Sequence, residues 1–185
     1  VILSGLGRDR DWSVRAALAP VLATFPAERV TSALVDLTVD EDARVHAPAL
    51  AALAKVLPKD SAVLQAKLAA ALDAQDFVER EMAAALIGET KPSGGAGALA
   101  AAYTKWANET SYDARGAALD ALAAFGGDQA LATLQAALAD REWAIRSKAA
   151  TLLRGLGRDA APVLPAPVRQ SADFFASDAL LHPKF

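Results

Sequence analysis

The chain has 185 residues, enough for one ordinary domain or a short repeat array. Hydrophobic residues make up 54% of it but aromatics only 6%, and alanine supplies the difference, so the core must be built from small side chains in close-packed helices rather than from a β-sandwich or barrel. With 19 Lys and Arg against 22 Asp and Glu the net charge is −3, which argues against a nucleic-acid binder. No cysteine is present, which excludes disulfides, thiolate catalysis and Cys-ligated zinc and leaves the compartment open, since both bacterial cytoplasm and periplasm suit such a chain. No apolar run is long enough for a membrane span.

In chain order, Ile2-Leu3-Ser4-Gly5-Leu6-Gly7-Arg8-Asp9 comes first and returns as Leu152-Leu153-Arg154-Gly155-Leu156-Gly157-Arg158-Asp159. The second copy closes a helix on glycine, so the first is expected to be the tail of a helix, and the chain a fragment of a longer protein. Next, Asp9-Arg10-Asp11-Trp12-Ser13-Val14-Arg15 matches Asp140-Arg141-Glu142-Trp143-Ala144-Ile145-Arg146 at a constant offset of 131. Weaker copies lie around His46, Arg80 and Arg115. Anchors at 15, 46, 80, 115 and 146 are spaced by 31, 34, 35 and 31 residues, one helix pair per period.

Apolar residues at helical spacing predict helices near 10–25, 27–38, 43–57, 60–74, 76–89, 96–108, 111–125, 128–139 and 142–156. The stripe Val14, Leu18, Val21, Leu22 and Phe25 is typical. Starts are marked by acidic residues and by Ser61, Ser111 and Asp128, stops by Pro26, Pro58, Lys91-Pro92-Ser93-Gly94-Gly95, Gly126-Gly127 and Gly157. Residues 158–185, with Pro162, Pro165 and Pro167, form a C-terminal extension or linker, with one short helix near 171–178 and an extended end.

The Asp-x-Asp-Trp-x-Val-Arg and Asp-x-Glu-Trp-x-Ile-Arg blocks, each followed by an Ala-rich helix and a Leu/Gly close, resemble HEAT-type repeats of the short, phycobilisome-lyase-like variety. The resemblance covers residues 1–157, beginning mid-repeat. It implies an all-α, right-handed solenoid of about five antiparallel helix pairs, in which the second helix of each pair lines a concave face that binds proteins or peptides. It also implies an Asp/Arg ladder linking neighbouring repeats, carried over as Asp11 with Arg15, Asp76 with Arg80, Asp113 with Arg115 and Asp140 with Arg146, with His46 in the Arg place of the second repeat.

Trp12 and Trp143 sit where a helix follows a loop, as plugs beneath the turn or as aromatic anchors for a peptide. The Arg row reads as a structural ladder, and an ordered row of guanidiniums can also bind carboxylates or phosphates. Tyr103 and Trp106 read as core. The candidate partner-contacting residues are Trp12, Arg15, Lys55, Trp143 and Arg146. His46 and His182 are the only histidines and no Ser/His/Asp set can be assembled, so no catalytic, metal or cofactor residue is assigned. Ser93-Gly94-Gly95-Ala96-Gly97 lacks the Gly-Lys-Ser/Thr ending of a phosphate loop and reads as an inter-repeat turn.

The expectation is a noncatalytic protein- or peptide-binding scaffold, part of a larger protein such as a bacterial peptidyl-prolyl isomerase, with pairing between copies through its cut ends. The alternatives are a HEAT-like lyase or chaperone for a cofactor and a DNA glycosylase-like enzyme. The latter needs a basic groove, whereas residues 93–185 carry 9 basic and 9 acidic residues.

Overall fold

A computed structural model describes Gly5 and residues 7–158. Residues 1–4 and 6 of the expected helix tail at the start of the chain, and the whole extension from Asp159 onward, lie outside the described residues.

The described residues hold α1 (Trp12–Leu22), α2 (Ala27–Leu37), α3 (His46–Val56), α4 (Ala62–Leu72), α5 (Phe77–Thr90), α6 (Gly95–Lys105), α7 (Asp113–Phe125), α8 (Gly127–Ala136) and α9 (Trp143–Gly155). Short 3-10 turns precede α3 (Ala43–Val45) and follow α6 (Trp106–Asn108) and α8 (Ala137–Ala139). There is no strand among these residues.

Three helices, α1, α4 and α5, start at a side chain that accepts from the free first-turn N–H groups. The Asp11 carboxylate accepts from the Ser13 amide at 2.8 Å, Asp76 accepts from Val78 and Glu79, and Ser61 Oγ from Leu64. Gly126 and Gly127, at φ +70° and +79°, turn the chain sharply between α7 and α8. The first helix is shorter than its periodicity suggested, ending at Leu22 instead of running to 25. The helix runs through Pro20, but Pro26 disfavours helical backbone at Phe25, and the chain closes in i→i+3 turns at Thr24 and Phe25.

The elements pair α2 with α3, α4 with α5, α6 with α7 and α8 with α9, while α1 packs on α3 in the same row as the second helices of these pairs. No pair could bury its apolar stripe alone; stacking joins the stripes into one core that runs from Leu18 to Leu153. Odd-numbered helices pack directly on their odd-numbered neighbours along the whole array, but among the even-numbered ones only α6 and α8 do so to any extent. Closer spacing in the odd row puts it on the inside of the curve. The tightest crossing is α5 on α7. A Cβ placed on Gly88 would come within 2.7 Å of the Ala121 Cβ, so only glycine permits this approach. Such crossings need small residues, which explains the alanine-rich, aromatic-poor composition.

Candidate functional site: the anchor ladder and the inner groove

The five anchors stand at the start of the odd helices, and the four arginines among them are buried. Four of the five share one backbone bond, and Arg115 alone reaches back eight residues, to the Ala107 carbonyl. Arg15, Arg80 and Arg146 each donate through Nη1 to the carbonyl six residues earlier, on Asp9, Ala74 and Asp140, at 2.6–2.7 Å. His46 does the same through Nε2 to the Asp40 carbonyl at 2.7 Å. The anchor's other side reaches a carboxylate of the next repeat. Arg15 holds Asp40 through Nε and Nη2 at 2.8 and 2.7 Å; Arg80 holds Glu109; Arg115 holds both oxygens of Asp140 at 3.0 and 2.9 Å.

The ladder is therefore inter-repeat, and its partners differ from the expected ones. The Asp11 carboxylate does not pair with Arg15: it accepts from the amide and the hydroxyl of Ser13, and this capping holds it below the ordinary carboxylate range. Asp76 likewise caps α5 instead of pairing with Arg80. Asp113 does not serve Arg115, which takes Asp140. Asp140 gives Arg146 its backbone carbonyl, not its carboxylate. A residue six positions before an anchor is thus a junction. At Asp40 and Asp140 the carbonyl ties its own repeat and the side chain ties the repeat before; at Glu109 only the side chain does so, because its carbonyl accepts from Arg141 and Arg115 turns to the Ala107 carbonyl instead. Asp40, Glu109 and Asp140 fill this place, and the Arg15 guanidinium draws the Asp40 carboxyl below its ordinary pKa.

The second junction is the exception that explains His46. In the third repeat the junction residue is Ala74, which has no carboxylate. Glu79 replaces it from within α5 and meets His46 Nδ1 at 2.7 Å. Both ring nitrogens of His46 face acceptors. Burial works against charge on the ring, but the Asp40 carbonyl and the Glu79 carboxylate outweigh it and raise the pKa above the ordinary imidazole value.

Asp140 is the busiest junction. Besides Arg115 it accepts from the Tyr103 hydroxyl at 2.6 Å and from the Glu142 amide at 2.8 Å. Burial first, and then this carboxylate, push the Tyr103 phenol above its usual pKa, so it stays a donor. Tyr103 and Trp106 are core residues, as their spacing suggested.

The sequence-selected contact residues therefore separate. Arg15 and Arg146 are buried inside the ladder. Lys55 is exposed on α3. Trp12 and Trp143 both open odd helices, yet their surroundings differ. Trp12 packs against the core with the Arg44 guanidinium 3.8 Å above its ring, whereas Trp143 is 70% exposed and plugs nothing. Counting three residues back from each anchor shows that these tryptophans belong to a row of Trp12, Ala43, Phe77, Tyr112 and Trp143. Phe77 and Tyr112 are exposed members that the sequence reading missed; aligning the anchors would have found them.

On the inner row, α5 and α7 leave a groove of about 380 Å³ floored by Ala85, Gly88, Ala117, Ala121 and Ala124. Glu81, Glu89 and Asp120 edge it. A second hollow of about 180 Å³ continues it towards α9, sharing Glu81, Ala117 and Asp120 and adding Tyr112, Asp113 and Ala144. Lys148, also there, donates to Asp120. Among the described residues no helix is long and apolar enough to cross a membrane, and no group of three His, Cys, Asp or Glu is arranged for a metal.

This is the architecture of an α-helical repeat solenoid. Two solved structures are similar to it. An engineered protein matches at a TM-score of 0.52 and 21% identity over 82% of this chain and 76% of its own. The designed armadillo repeat protein YIII(Dq)4CqI matches at 0.51 and 19% identity over 82% of this chain and 79% of its own. No protein-family profile and no curated protein matches the sequence.

Proposed function

We propose that the chain is a noncatalytic protein-interaction scaffold whose inner row of helices receives an extended segment of another protein. The observation that carries this reading is the continuous, small-residue groove along α5, α7 and α9. Its alanine floor lets a peptide backbone lie close to the helices, and the ladder beneath holds those helices at fixed spacing, so little ordering cost falls on the protein when a partner docks. A surface of this kind asks for shape and charge and needs no reacting group. Carboxylates at its edges repel a phosphate backbone, which supports a protein partner over a nucleic acid.

The same reading takes the repeats as the HEAT variety and the array as one part of a larger multidomain protein such as a bacterial peptidyl-prolyl isomerase, presenting clients to a neighbouring domain. On this reading Trp143 and Lys55, both exposed, add to the contact surface beyond the groove. The test is a peptide-array and pull-down screen with the wild-type chain and with Ala117→Trp, which fills the groove where its two hollows meet. Ligands that bind the wild type and are lost in the variant support the proposal; no protein ligand for either, or ligands indifferent to the variant, refutes it.

A further inference from the structure

The first two repeats show how this scaffold accommodates a cation on its aromatic row. Arg44 lies two residues before the second anchor. Its guanidinium stacks 3.8 Å from the Trp12 ring centre while Nε and Nη2 bond the Asp42 carboxylate at 2.9 and 2.6 Å. The Arg44 guanidinium in turn holds the Asp42 carboxyl down to about 2. An aromatic face and a carboxylate together thus hold one guanidinium, provided in cis.

The fourth and fifth repeats repeat the aromatic place without the cation, and there the counterpart of Asp42 is Glu142, which pairs with Arg141 outside the hollow. Tyr112 occupies the place of Trp12, but the place of Arg44 is taken by Ala144. The space next to Tyr112 is a hollow of about 180 Å³ lined by Tyr112, Ala144 and three carboxylates, Glu81, Asp113 and Asp120. Lys148 answers only Asp120. The hollow opens directly into the alanine-floored groove, with which it shares Glu81, Ala117 and Asp120.

We infer that the hollow between Tyr112 and Ala144 is a subsite for an arginine side chain of the docked partner, which there takes the part that Arg44 plays on Trp12. Cation–π attraction to the ring and ion pairing to the surplus carboxylates act together, and they select a basic segment from among the peptides the groove admits by shape. This rests on the scaffold reading above and names the chemistry of its partner: an extended segment with small side chains for the groove and an arginine for the hollow.

The experiment uses the whole chain and three fluorescein-labelled undecapeptides of alternating alanine with arginine, with citrulline, or with glutamate, followed by fluorescence anisotropy at low salt. Citrulline keeps the shape of arginine and removes its charge. The arginine peptide is expected to bind about tenfold more tightly than the citrulline peptide, and to weaken as salt is added. Ala144→Arg supplies the cation in cis and should lower arginine-peptide affinity about tenfold, to the citrulline level, as should Tyr112→Ala. Circular dichroism confirms the fold of each variant; if Ala144→Arg does not fold, Tyr112→Ala and Glu81→Gln carry the comparison. Equal binding of the arginine and citrulline peptides, variants without effect, or no binding of the arginine peptide each overturns the subsite. If peptides bind regardless of charge and Ala117→Trp removes them, the subsite falls while the scaffold stands. If the array screen is empty as well, both fall.

Discussion

Replacing Asp140 by alanine removes the carboxylate on which two repeats meet. Arg115 is 1% exposed and its only ion-pair partner among the described residues is this side chain, itself 6% exposed. Taking one member from a buried pair strands the other charge and costs about 3–5 kcal/mol. The Tyr103 hydroxyl also loses its acceptor, worth about 1 kcal/mol more. For a chain of this size each kcal/mol is about 2–4 °C in Tm, so a fall of roughly 10–15 °C is expected. The assay is thermal and urea unfolding followed by far-ultraviolet circular dichroism and by tryptophan fluorescence. Because Trp106 lies before the junction and Trp143 beyond it, the variant should also lose coincidence between the two probes as the last repeat uncouples. Replacing both partners, Arg115→Met with Asp140→Leu, should recover most of the loss, since no charge is then left without a partner. A drop below about 1 kcal/mol for Asp140→Ala, or a double variant no better than the single, would refute the reasoning that buried junctions carry the stacking.

Three further outcomes follow from the same geometry. The His46 pKa is raised in the folded state, so the stability it contributes is fully present below the ordinary imidazole value of 6.5 and is lost as pH climbs through the raised folded value. Urea midpoints should fall over that window, and His46→Gln should flatten the profile; an unchanged slope in the variant would place the titration elsewhere. Gly88→Ala gains about 1 kcal/mol of helix propensity but drives a methyl against Ala121 Cβ at 2.7 Å and Cα at 2.9 Å, which overpacking makes a net loss of about 1–2 kcal/mol by chemical denaturation. Arg44→Ala uncovers the Trp12 ring, and the emission of Trp12, isolated by comparison with a Trp12→Phe background, should shift to the red with little change in Tm.

The helices were legible in the sequence because period-3.6 apolar stripes, acidic caps and Pro or Gly stops agree with one another at every repeat. The end of α1 was misplaced because the apolar stripe runs on to Phe25, which Pro26 keeps out of the helix. The ladder was legible as a row of anchors, but its pairings were not. Local spacing suggests Asp11 for Arg15, yet Asp11 is consumed by the amide and hydroxyl of Ser13, and the true partner, Asp40, lies a repeat further on. The recurrence of an acid six residues before anchors 46, 115 and 146 was the available signal, and Ala74 in that place announces the departure that Glu79 makes good. The groove was not legible at all, because its floor is made of the same alanines that fill the core. Only the placement of α5 against α7 tells Ala117, on the surface of the groove, from Ala118, which is fully buried.

The most direct measurement is an amide chemical-shift titration of the whole chain with the alternating arginine–alanine peptide. Perturbed amides should lie on α5, α7 and α9, centred on Glu81, Ala117 and Ala144, with α2, α4, α6 and α8 unmoved. Shifts concentrated on the even-numbered helices, or none at saturating peptide, would contradict an inner row that works as the receiving surface.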